Sequence, residues 1–402
     1  MNLLWVKSGA LLPADTGGRK RTLAMLREIS RAGHRLTFLA LKPEGMVILR
    51  EEMVDDYAED KIWVDWKEPR RGSINFFWGL LRNFVFSSQP YVLDKYVSAA
   101  WRAAIAAQAG KVDLVVCDFL TPAPNFSGLK LPVPAVLFQH NIESQIWKRL
   151  ADTAGNFINR LYLRGQYQRM KIWEARLSED FDGVITVSPD DAEFCRSEYA
   201  LTNVLGDVPT GVDVSVFAAP SLEAGLCVGF LGSMDWMPNV EGVLWFASHV
   251  LPQLRKRWPD LRVKVIGRNP TAAVRQLGAD DPLIEVTGTV DEVQPHVHEC
   301  AVMVVPLMAG GGTRIKIFEC MAMGVPVVST TIGAEGLPVQ NGHEILIADG
   351  ENAFADAVAR MLEDRPLARS LAQRARNLME ERYSWQAAAS RFMELCQATL
   401  KS

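Results

Sequence analysis

The run VVPLMAGGGTRIKIFECMAMGVPVVS at residues 304–329 decides the fold. A short β-branched strand passes into three successive glycines, Gly310, Gly311 and Gly312. A helix-forming stretch follows, and Gly324, Val325 and Pro326 turn it into a second apolar strand. Strand, glycine turn, helix and strand is the repeating unit of a parallel sheet wound with helices on both faces.

Glycines at a strand-to-helix turn let backbone amides approach a ligand, and the start of a helix favours an anion there. Arg314 and Lys316 stand in or beside that first turn, where the helix dipole disfavours cations. A bound diphosphate would supply the missing negative charge. With the helix beginning near Gly312, residues Gly312, Lys316, Glu319 and Met323 share one face, and Ile315, Phe318 and Ala322 form an apolar stripe beside it. Lys316 and Glu319 then project above the strand ends, which is the ligand crevice of open α/β sheets. A carboxylate there accepts two ribose hydroxyls while cations hold phosphates. The plainer reading is a surface ion pair, and the triple glycine argues against it.

The same rhythm extends in both directions. Strands are expected at 3–7, 35–41, 62–66, 114–118, 135–139 and 183–187, with helices over 17–31 and 156–179. Residues 206–225 carry no periodicity and read as a linker. Strands resume at 227–231, 262–266, 284–286, 301–305, 325–329 and 345–347, with a helix over 239–257. A length of 402 residues suits two domains. They are expected at 1–205 and 226–383, two Rossmann-like α/β halves facing each other across a cleft, with a closing helix at 384–402 crossing back to the first. No GxGxxG follows the first strand, which argues against a nicotinamide enzyme.

Composition narrows the partners. With 49% apolar and 22% charged residues the chain is globular, and a net charge of -4 gives no footprint for nucleic acid. Local basic clusters exist at Arg19, Lys20, Arg21 and Arg27 and again at Arg160, Arg164, Arg169, Lys171 and Arg176. They read either as solvated helix faces or as attraction to anionic lipid or a phosphorylated acceptor. The stretch at 74–86, rich in Phe and Trp, reads either as a helix packed on the sheet or as an interfacial helix. Six dispersed cysteines without CxxC spacing suit reduced thiols, and the absence of a signal or a 20-residue apolar run suits a cytoplasmic protein at most peripheral to the membrane.

Residues 304–329, with TTIGAEG at 330–336, resemble family-4 glycosyltransferases of the GT-B fold, most of all the exopolysaccharide-associated sugar transferases. PADTGG at 13–18, ITVSP at 185–189, PTGVD at 209–213, FLGSMDWMPN at 230–239, IGR at 266–268, VTGTV at 286–290 and YSW at 383–385 extend the likeness over nearly the whole chain.

The resemblance implies a retaining transfer from a nucleoside-diphosphate sugar, UDP- or GDP-linked, without a cofactor or metal, to a sugar or lipid-linked acceptor. It implies donor binding by the second domain and acceptor binding by the first. Glu319 matches the later glutamate of the family's E-x7-E motif and would take the ribose hydroxyls; the earlier position is Gly311. The usual basic pair opening the second domain is absent from residues 232–236, so Arg314 and Lys316 are expected to take the diphosphate. Gly232 is expected in the donor site, Arg268, Gly288, Thr289 and Val290 at the base, Gly311, Gly312 and Thr313 at the phosphates, and Glu335 at the donor sugar. In the first domain His140 matches a histidine beside the reacting sugar; the plainer reading is a structural histidine. Gly17 and Gly18 would approach the diphosphate or acceptor, and Asp118 reads as a cap or an acceptor contact. The rivals are a sugar-nucleotide epimerase of like architecture and a non-catalytic sugar-nucleotide-binding partner, the latter motivated by Gly311.

Overall fold

The computed structural model describes the chain apart from residues 15, 46, 68–77, 80–81, 84–85, 154–156, 215–224, 309–314 and 401–402. It divides into two compact units, Met1–Gly211 with Ala388–Ser402, and Val212–Ala387.

The first unit is built on seven parallel strands: β1 (Asn2–Lys7), β2 (Arg35–Pro43), β3 (Asp60–Trp66), β4 (Leu114–Asp118), β5 (Ala135–Phe138), β6 (Gly183–Thr186) and β7 (Val204–Asp207). Their order in the sheet is β3-β2-β1-β4-β5-β6-β7. Strand β1 is central and buried from Leu3 to Lys7, because helices cover both faces of a parallel sheet. Its Trp5 ring lies 5.4 Å from Phe392 on the last helix, Trp385–Thr399. That contact places the closing helix on the first sheet. Gly183 has no side chain because one would meet Leu205 at 2.4 Å and Thr399 at 3.2 Å.

The second unit has six parallel strands: β8 (Cys227–Leu231), β9 (Arg262–Ile266), β10 (Ile284–Gly288), β11 (Val302–Val305), β12 (Val327–Ser329) and β13 (Leu346–Ile347). Their order is β10-β9-β8-β11-β12-β13. Along β11, Val302 and Val304 enter one apolar cluster while Met303 and Val305 enter the other. This is the two-residue period of a strand buried on both faces.

Three local expectations change. Gly206 and Asp207 belong to β7, so the stretch read as a linker begins inside the sheet, and the contact boundary falls at Gly211 and Val212. Strand β7 lies at the sheet edge and is only half-buried, which removes the continuous apolar run that marks the others. The helix expected over 239–257 is Met237–Trp245 followed by a wide π turn, Phe246–Val250, and Leu251–Arg255. Pro252 has no N–H to continue the ladder, and Ser248 Oγ takes the Leu244 carbonyl at 2.7 Å. Met323, expected to share one face with Lys316 and Glu319, is buried, whereas those two are half-buried.

Candidate functional site

In the second unit the sheet order reverses between β8 and β11. The chain steps from β8 outward to β9 and β10, then returns to β11 on the other side. Open α/β sheets bind ligands at the carboxyl ends of strands flanking such a reversal. The helix Met237–Trp245 follows β8 and the helix Ile315–Ala322 follows β11. Lys316, on the first described turn of the second helix, donates from Nζ to Asn239 Oδ1 at 2.5 Å, on the first turn of the other. The same ammonium lies 5.1 Å from the centre of the Phe230 ring. Asn239 is buried and donates its Nδ2 to the Ser233 carbonyl at 2.8 Å. One amide thus ties a loop carbonyl to a cation across the reversal point.

The neighbouring loops are interlocked. Gly232 N donates to the Ile266 carbonyl at 3.0 Å, and Met234 N to the Arg268 carbonyl at 2.9 Å. Arg268 Nε reaches Ser233 Oγ at 3.1 Å, and Asn269 Nδ2 reaches Asp235 Oδ2 at 2.9 Å. A Cβ on Gly267 would stand 1.8 Å from the Gly232 carbonyl oxygen, and one on Gly232 would stand 2.6 Å from Asn239 Nδ2. Both glycines are there so that backbone can approach. Gly288 ends β10 at φ 70, leaving Thr289 exposed and Val290 half-buried. At β12, Thr330 Oγ1 donates to the Leu307 carbonyl at 2.6 Å, clamping the segment that leaves β11. Glu335 follows the short turn Thr331–Ala334 and is exposed.

The second sheet therefore carries Gly232, Arg268, Gly288, Thr289, Val290, Lys316, Glu319 and Glu335 on segments leaving the carboxyl ends of its strands. On the 315–322 helix, Lys316 and Glu319 are half-buried and lie one turn apart, whereas Ile317, Phe318, Cys320, Met321 and Ala322 are buried. Gly310, Gly311, Gly312, Thr313 and Arg314 lie outside the described residues.

The first unit gathers a second cluster where its own order reverses, between β1 and β4. Lys7 ends β1 and donates to Asp118 Oδ2, at the end of β4, at 2.7 Å. Thr22 on the helix Gly17–Arg31 donates to the same oxygen at 2.7 Å. His140, just beyond β5, is buried and brings Nε2 to 2.6 Å from Asp118 Oδ1. Burial works against the Asp118 carboxylate, but Lys7 and then His140 overcome it and hold its pKa below the usual range. Burial lowers His140 to about 4, against the pull of Asp118, so the imidazole is neutral at pH 7.

Phe119 covers this cluster. Its ring stacks on His140 at 3.8 Å, the Lys7 ammonium lies 4.2 Å from the ring centre, and its φ is 73. A phenylalanine in the left-handed region is strained, and such residues concentrate at functional sites. Gly18 makes room for the ring, since a Cβ there would lie 2.6 Å from Phe119 Cζ. The cleft-lining position expected of His140 is thus a buried one beneath Phe119. Asp118, read as a cap or acceptor contact, is a buried ion-pair partner.

The loop carrying His140 is fixed from behind. Glu174, buried on the helix Phe157–Glu179, accepts from Gln139 Nε2 at 2.5 Å, Glu143 N at 2.7 Å, Ser144 N at 2.9 Å and the Tyr199 hydroxyl at 2.6 Å. Burial, then the Glu174 charge, push the neighbouring Glu143 up to about 7. Sequence reasoning missed Lys7, Thr22, Phe119, Asn239 and Glu174 as site residues. A lone lysine closing an otherwise apolar strand was the one available signal.

Residues 16–216 match the family model for Glycosyltransferase Family 4, and residues 214–364 match that for Glycosyl transferases group 1. A 44.6 kDa protein from the cps region of Klebsiella pneumoniae is 21% identical over 95% of this chain and 96% of its own length. A phosphatidyl-myo-inositol mannosyltransferase of Mycolicibacterium smegmatis is 29% identical over 47% of the chain and 50% of its own. Among solved structures, sucrose-phosphate synthase from Thermosynechococcus elongatus shares the fold with a TM-score of 0.65 at 16% identity, covering 100% of this chain and 99% of that one. Anabaena HepE, solved with UDP, does so at 0.65 and 13%, covering 99% and 100%.

Proposed function

The chain belongs to glycosyltransferase family 4, and from that premise we propose that it moves a sugar from a nucleoside-diphosphate sugar to an acceptor hydroxyl with retention of configuration. The observation that carries this reading is the Lys316 ammonium held by Asn239 at the reversal point of the second sheet, with Glu319 one turn further on. Lys316 and Arg314 take the diphosphate, and Glu319 takes the ribose hydroxyls. The loop at Arg268, interlocked with that at Gly232, and the segment Gly288, Thr289 and Val290 receive the base; Gly232 is assigned to the donor site, Gly311, Gly312 and Thr313 to the phosphates, and Glu335 to the donor sugar.

In this reaction the bond from the anomeric carbon to the phosphate oxygen breaks, and a bond to the acceptor oxygen forms on the same face. The acceptor proton passes to the departing diphosphate. Negative charge grows on that leaving group, and a fixed cation and helix-start amides stabilise it without reorganising. No metal is assigned a part. In the first unit we assign the glycine pair Gly17 and Gly18 to the diphosphate or the acceptor, with His140, neutral at pH 7, buried beneath the Phe119 ring that packs against Gly18.

The Klebsiella relative, from a cps region and matched along nearly its full length, supports a place in polysaccharide or glycoconjugate assembly. A mannosyltransferase named for phosphatidyl-myo-inositol and a GDP-mannose-dependent one named for phosphatidylinositol monomannoside support a lipid-borne acceptor, and the second supports a GDP-linked donor. A cytoplasmic enzyme touching the inner face of the membrane suits such an acceptor.

Thermal unfolding of the full chain with UDP-, GDP- and dTDP-sugars tests the donor assignment. One donor is expected to raise Tm in the wild type and not in Lys316→Ala, which also loses turnover. Equal stabilisation of both proteins would refute the site.

A further inference from the structure

We propose that the outer face of the 157–179 helix, with the end of the 143–153 helix beside it, docks onto an anionic lipid bilayer. This deepens the membrane part of the reading above, but its observations are independent of the transfer reaction.

Along the 23-residue helix Phe157–Glu179, the exposed positions among the described side chains are Phe157, Leu161, Arg164, Gln168, Ile172, Arg176 and, at the far end, Glu179. They recur every three or four residues and form one face; Gln166, Met170, Glu174 and Leu177 point into the unit. The outer face of a helix packed on a globular unit ordinarily carries polar residues. Here Phe157 is 77% exposed, Leu161 64% and Ile172 65%. The helix Glu143–Thr153 packs along it and adds exposed Ile146 and Leu150. Since residues 154–156 alone separate the two helices, Leu150 and Phe157 stand at the same end of the hairpin. The preceding segment is tied to the long helix by Arg169 donating to the Asn83 carbonyl and Trp173 to that of Ser88. That segment exposes Trp78 at 64% and Phe86 at 84%.

Charge selects the occupant. From Phe157 to Trp173 the helix has no acidic residue, yet it carries Arg160, Arg164, Arg169 and Lys171. Its two carboxylates are Glu174, buried beneath the His140 loop, and Glu179 at the far end. Lys171 pairs with Glu198 and Arg169 reaches the Asn83 carbonyl, so the exposed cations of the outer face are Arg164 and Arg176, in a chain of net charge -4. Large apolar side chains with arginines between them, and a Trp at the margin, are the makings of a helix lying in the plane of a membrane. The apolar groups enter the acyl boundary, and the long cationic side chains reach the phosphates. Among the described residues no helix is long and apolar enough to cross a membrane, so the attachment is in-plane.

Co-sedimentation of the full chain with phosphatidylcholine vesicles, with and without about one-third phosphatidylglycerol, tests this. The wild type is expected to bind only the anionic vesicles and to be released as salt rises to about 0.5 M. Arg164→Ser with Arg176→Ser should weaken partitioning roughly 25-fold, at about fivefold for each surface cation. Phe157→Ser with Leu161→Ser should weaken it at least about tenfold. Both double variants should unfold at the wild-type temperature and keep donor stabilisation, which separates this proposal from the donor assignment. Equal binding to neutral vesicles, no binding by folded wild type, or wild-type binding by either variant would overturn it. So would a wild-type dimer that the Phe157 and Leu161 changes convert to a monomer without any vesicle binding.

Discussion

Lys7 and Asp118 form a buried ion pair 2.7 Å long, joining the carboxyl ends of two adjacent strands, β1 and β4. Those strands flank the reversal of the first sheet's order, where a carboxylate is expensive to bury. Lys7, Thr22 and the edge of His140 surround it. Removing one partner of a buried pair leaves an uncompensated charge and costs more than the pair itself contributes. Lys7→Met should therefore lower the unfolding free energy by about 3–5 kcal/mol in urea. Lys7→Met combined with Asp118→Asn should be less destabilised than Lys7→Met alone. A Lys7→Met loss no larger than that of a surface substitution would show that the pair is not buried as described.

His140 supplies a pH dependence with a definite sign. Its folded pKa, lowered by burial to about 4, lies below the unfolded value of 6.5. Between those values the unfolded chain binds a proton that the folded chain refuses, so stability falls as pH drops through the window. Relative to His140→Phe, the wild type should lose about 2 kcal/mol between pH 7 and pH 5, at about 1.4 kcal/mol per pH unit. Comparing the two proteins cancels other groups, including Glu143, whose raised pKa acts in the opposite direction. Parallel stability curves for the two proteins would mean that His140 is accessible to water.

Phe119 separates backbone strain from side-chain packing. Its φ of 73 suits glycine and penalises any residue with a Cβ. Phe119→Ala and Phe119→Gly both remove the ring from His140 and leave the same space. Only alanine retains the strain. The glycine variant should be the more stable of the two by about 1 kcal/mol, reversing the usual order at an ordinary position. Chemical denaturation of the pair decides it, and a more stable alanine variant would count against the left-handed backbone.

The strands were legible because parallel sheets buried on both faces demand continuous apolar runs, as at Leu3–Val6 and Val302–Val305. Strand β7 was not legible, since an edge strand with Gly206 needs no such run. Lys316 and Glu319 were readable from helical spacing. Their partners were not: Asn239 is 77 residues from Lys316, and Asp118 is 111 from Lys7. Pairings at those separations arise from strand order, which local periodicity does not encode. Lys7 looked like the end of an apolar run and is the cation that keeps Asp118 charged.

Gly267 tests how tightly the second sheet's loops are packed. A methyl group there would meet the Gly232 carbonyl at 1.8 Å, a clash with backbone that no rotamer relieves. Gly267→Ala should cost at least about 3 kcal/mol, the upper end for overpacking. Gly9→Ala, at a position with nothing within 4 Å, should stay within about 0.5 kcal/mol of the wild type. Thermal unfolding distinguishes them, and a tolerated Gly267→Ala would mean that the 232 and 266 loops do not interlock.

In the proposed reaction Asn239 is a positioning residue that acts through Lys316. Its carbonyl accepts from Nζ at 2.5 Å, and its amide is spent on Ser233. Replacing it by leucine keeps much of the volume and removes the acceptor, so the ammonium loses its fixed place before the leaving group departs. Misplacing such a charge should lower kcat by about 10–100-fold while donor KM changes less. The decisive measurement is a double-mutant cycle. If Asn239 acts through Lys316, adding Asn239→Leu to Lys316→Ala should cost almost nothing more, giving a coupling of about 1–3 kcal/mol. If Asn239 only supports the fold, the two losses add, and the Asn239→Leu effect appears in Tm with the kcat of the folded fraction intact.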